Sequence, residues 1–509
     1  MQTEIVQAFG IAAGVIGQPQ NLVLLALATA VGLFIGMLPG LGGTVVIALL
    51  IPLTFAMDPL VAFMILVAAN GGTSQGGAIT AILINTPGKA PNAATILDGY
   101  PLARQGRAGE AIGASATASA FGAILGIAVL VVMIPFMLQF VLMFSSAEIF
   151  WLGIWGLTLL AVVVSGDVAS GLISGAFGLL FSMHGVHNAT ALARWTYGLS
   201  FMLDGFKLVP ALIGLFAVAE MINLVSQGEQ ISMEEEESEE GEILEEELQG
   251  RFQGAKAVFV HWSIFLRSAL IGTFIGAIPG VGGTAANYVA YFQAVQTSDN
   301  PETFGTGDIR GVIASEASND AKEGGAYIPT LGFGVPGSSS MAVLFGAFLL
   351  HGITPGPLLM QNHLDVVGIV VLSALVSNVV SSIFGMATAN QLTKLTQIDI
   401  MYLAPMVIGV AFFGSYALQN NVYNLAITAF FGVLGFVMIK INMSRVPMIL
   451  GMVLGPIVET EFFRALQISG NDYAIFVNQP LDWILILLIL IGLFLPYIRG
   501  FVRNRGVTS

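Results

Sequence analysis

Long apolar runs, cut by glycine and proline, make up most of this chain. They fall at roughly 20–38, 45–56, 60–84, 110–134, 146–164, 167–183 and 205–226, and again at 263–278, 285–295, 325–350, 364–388, 400–417, 422–440, 446–458 and 481–498. A helix that crosses a bilayer needs about 20 apolar residues. Barrel strands alternate over about ten residues, whereas these runs are continuously apolar. The pattern predicts an all-α polytopic membrane protein with about 11–12 transmembrane helices. Re-entrant or broken helices are expected where a run is short or interrupted. Residues 1–17 read as a short leading helix that holds Glu4 and no Lys or Arg, unlike the basic start of a cleaved signal peptide.

The runs are organised by an internal repeat. Gly32-Leu-Phe-Ile-Gly-Met-Leu-Pro-Gly-Leu-Gly-Gly-Thr44 recurs as Gly272-Thr-Phe-Ile-Gly-Ala-Ile-Pro-Gly-Val-Gly-Gly-Thr284, with nine of thirteen residues identical at a constant offset of 240. A weaker match follows at an offset of 249, pairing Asn70, Gly76, Ile79, Pro87 and Gly88 with Asn319, Gly325, Ile328, Pro336 and Gly337. The nine extra residues lie in the polar stretch Thr297 to Arg310. The expected organisation is a first repeat over 1–228, a linker over 229–250, a second repeat over 251–460, and an extra helix with a basic tail over 461–509.

Charge refines this outline. Only 9% of the 509 residues are charged, against about 25% in a soluble domain. The formal charge of −14 is dominated by eleven Glu between Glu229 and Glu247; removing them from the 31 acids leaves 20 against 17 bases, or −3. Such a run reads as a solvated linker, and nothing points to nucleic acid. Arg499, Arg503 and Arg505, then Lys440, Arg445 and Lys394, place both termini and the linker on the cytoplasmic side. Lys89, Arg104 and Arg107 make 88–109 a cytoplasmic loop, while its counterpart 351–363 falls outside, so the repeats are expected to be inverted. Arg194 runs against the pattern.

Pro-Gly-x-Gly-Gly-Thr inside an apolar run breaks a helix. Broken backbone at membrane depth survives only inside protein or beside a wet cavity. The short runs after it suit half-helices, with Thr44 and Thr284 placed to act as N-caps. Free N–H groups at such starts attract anions, and paired broken helices are a recurrent transporter site. Candidate substrate contacts are Gly40, Gly42, Gly43, Thr44, Gly280, Gly282, Gly283, Thr284, Lys322 and Ser338. Candidate cation contacts are Asn70, Asn319 and Asp320, with Glu316 and Glu323 nearby; ionisable groups beside apolar spans are functional candidates. The alternative for Glu316 to Glu323 is a charged loop. His184, His187, His261, His351 and His363 show no ligating pattern, Cys is absent, and no Walker A sequence occurs. No nucleophile–base pair suggests an enzyme.

At these motifs the sequence resembles the large membrane subunit of the tripartite tricarboxylate transporters, the TctA type. The resemblance rests on the two Pro-Gly-x-Gly-Gly-Thr loops, on Ala314-Ser-Glu-Ala-Ser-Asn-Asp-Ala-Lys-Glu-Gly-Gly-Ala326, and on Ile328-Pro-Thr-Leu-Gly-Phe-Gly-Val-Pro-Gly-Ser338 with the serine after it; it spans about 20–500. It implies a secondary transporter of the bacterial inner membrane that takes up carboxylates by symport with Na⁺ or H⁺. It also implies a small partner subunit of roughly four membrane helices and a periplasmic solute-binding protein. A self-sufficient exchanger or channel, needing no binding protein, is the alternative.

Overall fold

A computed structural model describes residues 2–38, 40–164, 168–187, 191–227, 243–279, 282–395 and 400–505. Gly280, one of the candidate contacts, and the acidic run up to Glu242 lie outside the described residues.

The first half opens with Gln2–Ile16 (α1), Pro19–Met37 (α2), Gly43–Thr54 (α3), Pro59–Leu83 (α4), Ala93–Arg104 (α5) and Ala108–Val141 (α6). Ser146–Val164 (α7), Val168–Ser182 (α8), Leu208–Leu212 (α9) and Ala219–Gln227 (α10) follow, the last two joined by a π-helical turn at Ile213–Val218. The second half begins with Ile243–Val260 (α11), Trp262–Gly276 (α12), Gly282–Gln296 (α13), Ile309–Phe333 (α14), Ser339–Leu350 (α15) and Pro357–Asn362 (α16). It ends with Leu364–Leu395 (α17), Ile400–Ala417 (α18), Val422–Lys440 (α19), Val446–Ile468 (α20) and Pro480–Arg505 (α21).

Among the described residues, seven helices are long and apolar enough to cross a bilayer. A pair at Gln249–Val260 and Trp262–Gly276, bent by 78°, makes an eighth if counted as one span. Other apolar helices, such as α3 and α15, are shorter, and α4 and α14 carry polar residues at mid-length.

The duplication is visible in the packing, residue for residue. A Cβ on Gly32 would strike Ala69 O at 1.9 Å and one on Gly36 would strike Thr73 Cα at 2.5 Å. In the second half, Gly272 meets Ser318 O at 2.5 Å and Gly276 meets Lys322 O at 2.2 Å. These are the same positions under the two offsets, so α2 lies on α4 as α12 lies on α14. Small residues are what allow backbones within membranes to approach this closely. The halves also interlock: α6 packs on α14 and α17 on α4, while α8 packs on α20 and α10 on α19.

Two elements depart from the apolar pattern. Ile243–Val260 is a helix although it begins within the acidic stretch assigned to the linker. It packs on α6 as α1 packs on α17, so the leading helix has a counterpart that polarity concealed. The run read as 325–350 is two helices, broken at Gly334–Ser338, and its first helix starts sixteen residues earlier, at Ile309. Asp308 caps that start by accepting the Arg310 N–H at 2.9 Å. The stretch Glu316 to Glu323 is therefore helix, with Glu316, Asn319, Asp320 and Lys322 all buried.

The polar insertion is tied back to α5 by one buried carboxylate. Asp98 Oδ1 accepts the N–H groups of Gly305, Gly307 and Asp308 at 2.7, 3.0 and 2.8 Å. Its Oδ2 accepts the Tyr291 hydroxyl at 2.8 Å. Residues 88–109, expected as an aqueous loop, are thus largely a half-helix with Thr95, Asp98 and Leu102 fully buried.

Candidate functional site

The two glycine-rich loops end in helix starts whose first N–H groups have no acceptor within the helix. Gly42 is the N-cap of α3, extended at φ −80° and ψ −172°, and supplies no side-chain cap. Thr44 is therefore the second residue of α3 and not its cap. Thr284 is likewise the third residue of α13, inside the first turn. Glycine stands in the first turn of each helix, where the chain approaches α4 and α14 too closely for a side chain. A Cβ on Gly43 would lie 1.9 Å from Asn70 Oδ1, and one on Gly283 would lie 2.1 Å from Lys322 Cε. Gly40 holds the turn before α3 at φ +77° and donates its N–H to Gly88 O at 3.1 Å.

A third helix start joins them. Ser338 is a true N-cap of α15, its hydroxyl accepting the Met341 N–H at 3.3 Å. These starts surround a cavity of about 360 Å³. Its walls include Gly40, Gly42, Gly43, Thr44, Gly283, Lys322 and Ser338, so seven of the ten proposed substrate contacts are brought together. Gly282 begins α13, and Thr284, in its first turn, is not among the lining residues.

The cavity also holds charges that reading the sequence did not place there. Lys89, Glu220 and Arg445 line it beside Lys322 and Glu323, giving three cations against two carboxylates. Lys322 Nζ lies 2.5 Å from Glu323 Oε1. Arg445 donates to Glu220 Oε2 and to Leu215 O, both at 2.9 Å, and stacks over Phe216 at 5.2 Å. The acceptor carbonyl belongs to the π-helical turn. Lys89 donates to Ser74 Oγ at 2.5 Å and has no ion-pair partner among the described residues. The signal for Lys89 was present: at the offset of 249 it is the repeat-mate of Ser338. It was hidden because a cation in a short polar stretch reads as a topology marker. Arg445 looked the same after Lys440, and no local pattern distinguishes it. Arg194, the charge that ran against the topology, is paired with Glu459 at 2.6 Å.

The proposed cation contacts form no hydrogen bond with one another among the described residues, and each has its own surroundings. Asn70 faces Gly43, and no hydrogen bond among the described residues joins it to Asn319 or Asp320. The Asp320 carboxylate is buried, and its Oδ1 has no hydrogen-bond partner. Asn319 belongs instead to a network around Glu316. Glu316 Oε1 accepts from Asn92 Nδ2 at 3.2 Å and from the Thr95 hydroxyl. Its Oε2 accepts from Ser119 Oγ at 3.1 Å and Asn319 Nδ2 at 3.3 Å.

The profile of the "Tripartite tricarboxylate transporter TctA family" matches residues 22–450. Two proteins of Agrobacterium vitis are similar to the chain. One, described as an uncharacterized 52.8 kDa protein in the TAR-I ttuC' 3'region, is 31% identical over 473 residues, covering 91% of this chain and 90% of that protein. The other, described as an uncharacterized protein in the TAR-II ttuC' 3'region, is 33% identical over 232 residues, covering 45% of this chain and 96% of that protein. No solved structure matches the chain.

Proposed function

The chain belongs to the tripartite tricarboxylate transporter TctA family, and on that premise we propose that it is the large permease subunit of a binding-protein-dependent importer of tricarboxylates or related carboxylates. The observation that carries the substrate class is the cavity. Three cations, two carboxylates and three helix starts converge on it, which leaves its wall with an excess positive charge and unpaired N–H groups. Oriented N–H groups and cations at a helix start are what a carboxylate needs. Lys89 and Lys322 would meet the substrate carboxylates, with the starts of α3 and α15 supplying the N–H donors.

In this reading a periplasmic solute-binding protein delivers the substrate, and a small subunit of about four membrane helices completes the permease. Uptake is driven by symport of a cation, Na⁺ or H⁺, and the two repeats are inverted about the shared site so that each side is exposed in turn. The protein sits in the bacterial inner membrane with both termini and the acidic linker cytoplasmic.

The test is uptake of labelled citrate, and of dicarboxylates, by vesicles containing the chain and its small subunit, with the binding protein added or withheld. Uptake that requires both the binding protein and a cation gradient is expected. Uptake that persists undiminished without the binding protein would favour a self-sufficient exchanger or channel. Failure to take up any carboxylate under either gradient would overturn the substrate class.

A further inference from the structure

Glu316 is fully buried, and so are Asn92, Thr95, Ser119 and Asn319 around it. Five charged groups meet in this part of the interior: Lys89 and Lys322 against Glu316, Asp320 and Glu323. They leave one formal negative charge uncompensated. Lys322 is bonded to Glu323 at 2.5 Å. Glu316 is left with four neutral neighbours and no ion pair among the described residues. An isolated carboxylate this far from water is costly unless a cation or proton joins it.

The neighbours are of the kind a small hard cation takes. Thr95 and Ser119 contribute hydroxyl oxygens. Asn92 and Asn319 each use the amide nitrogen on Glu316, and the Oδ1 of each is buried with no hydrogen-bond partner. Rotating either amide about its terminal bond exchanges nitrogen for oxygen at nearly the same position, so both could turn an oxygen towards an ion. We propose that Glu316, with Asn92, Thr95, Ser119 and Asn319, binds a desolvated Na⁺.

The position explains why such an ion would matter. Asn92, Thr95 and Ser119 come from the first repeat, and Glu316 and Asn319 from the second. Asn92 ends the 3₁₀ turn Ala90–Asn92, whose first residue follows Lys89, and its N–H donates to Lys89 O at 3.0 Å. A cation held by Asn92 therefore fixes the turn that presents Lys89 to the cavity. Binding at one place then favours binding at the other, which is the requirement for coupling. This site deepens the transport reading and supplies its driving ion.

The test measures binding without transport. The full chain in detergent, with no carboxylate present, is melted in NaCl and in choline chloride at equal ionic strength and constant pH. Na⁺ should raise the melting temperature of the wild type in a saturable way. Glu316→Gln should abolish that rise. Ser119→Ala, which removes one oxygen and little volume, should raise the Na⁺ concentration for half-effect roughly tenfold. An undiminished Na⁺ effect in Glu316→Gln, or an unchanged midpoint in a stably folded Ser119→Ala, would overturn the site. So would a wild type that ignores Na⁺ and is stabilised only by acidification, since the charge would then be met by a proton. Citrate uptake that survives such a result would leave the transport reading standing; saturable Na⁺ binding in a chain that carries no carboxylate would leave the Na⁺ site standing alone.

Discussion

Helices α4 and α14 hold the same place in the two halves and carry opposite chemistry. Each spans 25 residues, begins at an aspartate cap, and receives a glycine-faced helix, α2 or α12, along one side. At the offset of 249, however, Val67, Gly71, Thr73 and Ser74 correspond to Glu316, Asp320, Lys322 and Glu323. The first helix is neutral throughout its middle and the second holds four ionisable groups. The contacts that define the architecture are made largely by backbone atoms against glycine, so they are indifferent to the side chains on the other faces. A duplicated scaffold can thus keep its packing in both copies while the charged chemistry gathers in one.

The sharpest way to break this comparison is to substitute the same position in both halves. Lys322→Gln removes a buried, charge-assisted partner worth about 2–3 kcal/mol, so initial uptake at low substrate should fall on the order of 100-fold. Thr73→Val, its repeat-mate, removes a hydroxyl that donates only to Asn70 O at 2.7 Å within its own helix, and uptake should stay within about threefold of wild type. Equal losses would mean that the two helices share the chemistry after all.

A smaller difference is expected at the glycines facing these helices. Gly43→Ala drives a methyl to 1.9 Å from Asn70 Oδ1 and 2.9 Å from Ser340 Oγ, between two packed helices. A loss of about 1–3 kcal/mol in stability is expected by thermal unfolding. Gly283→Ala meets the flexible end of Lys322, with Cε at 2.1 Å and Nζ at 3.0 Å. It should fold normally and displace the ammonium, raising the substrate concentration for half-maximal uptake by roughly tenfold, as for one lost hydrogen bond. A Gly283→Ala variant less stable than Gly43→Ala would reverse the assignment of which loop is structural.

The smallest effect concerns the caps. Ser338→Ala deletes the side-chain bond to Met341 N–H and should cost about 1 kcal/mol. Thr44→Val deletes no cap, because Gly42 holds that position, and should leave the melting temperature within the scatter of wild type. A matching drop in Thr44→Val would show a capping role that the geometry does not provide.

Much of the fold was legible in the residues. The loops Gly36–Thr44 and Gly276–Thr284 announced two broken helices and a duplication, and the offsets of 240 and 249 named the very pairs that pack alike, such as Gly36 on Thr73 and Gly276 on Lys322. Seven of the ten proposed substrate contacts line one cavity, five of them from those loops and Lys322 and Ser338 from the second match. The helix Ile243–Val260 was not legible, because its acidic start looks like a linker and only its seat on α6 makes it a counterpart of α1. Lys89 and Arg445 were read as loop cations, since a charge in a short polar stretch looks the same whether it faces water or a cavity.

What the sequence determined by itself is local: apolar length, glycine and proline breaks, and a repeat that any reader can align. These depend on neighbours along the chain, so they survive without coordinates. What the tertiary structure decided is convergence. Asn92 and Glu316 are 224 residues apart, and Glu220 and Arg445 are 225 apart, yet each pair is in hydrogen-bond contact. Such meetings arise from the interlocking of the halves, α6 on α14 and α17 on α4. Where α6 meets α14, the contacts are glycine against backbone, Gly122 on Ala317 O and Gly126 on Ala321 O; they leave the charge distribution free, so no pattern along the chain specifies which ionisable groups end up facing each other.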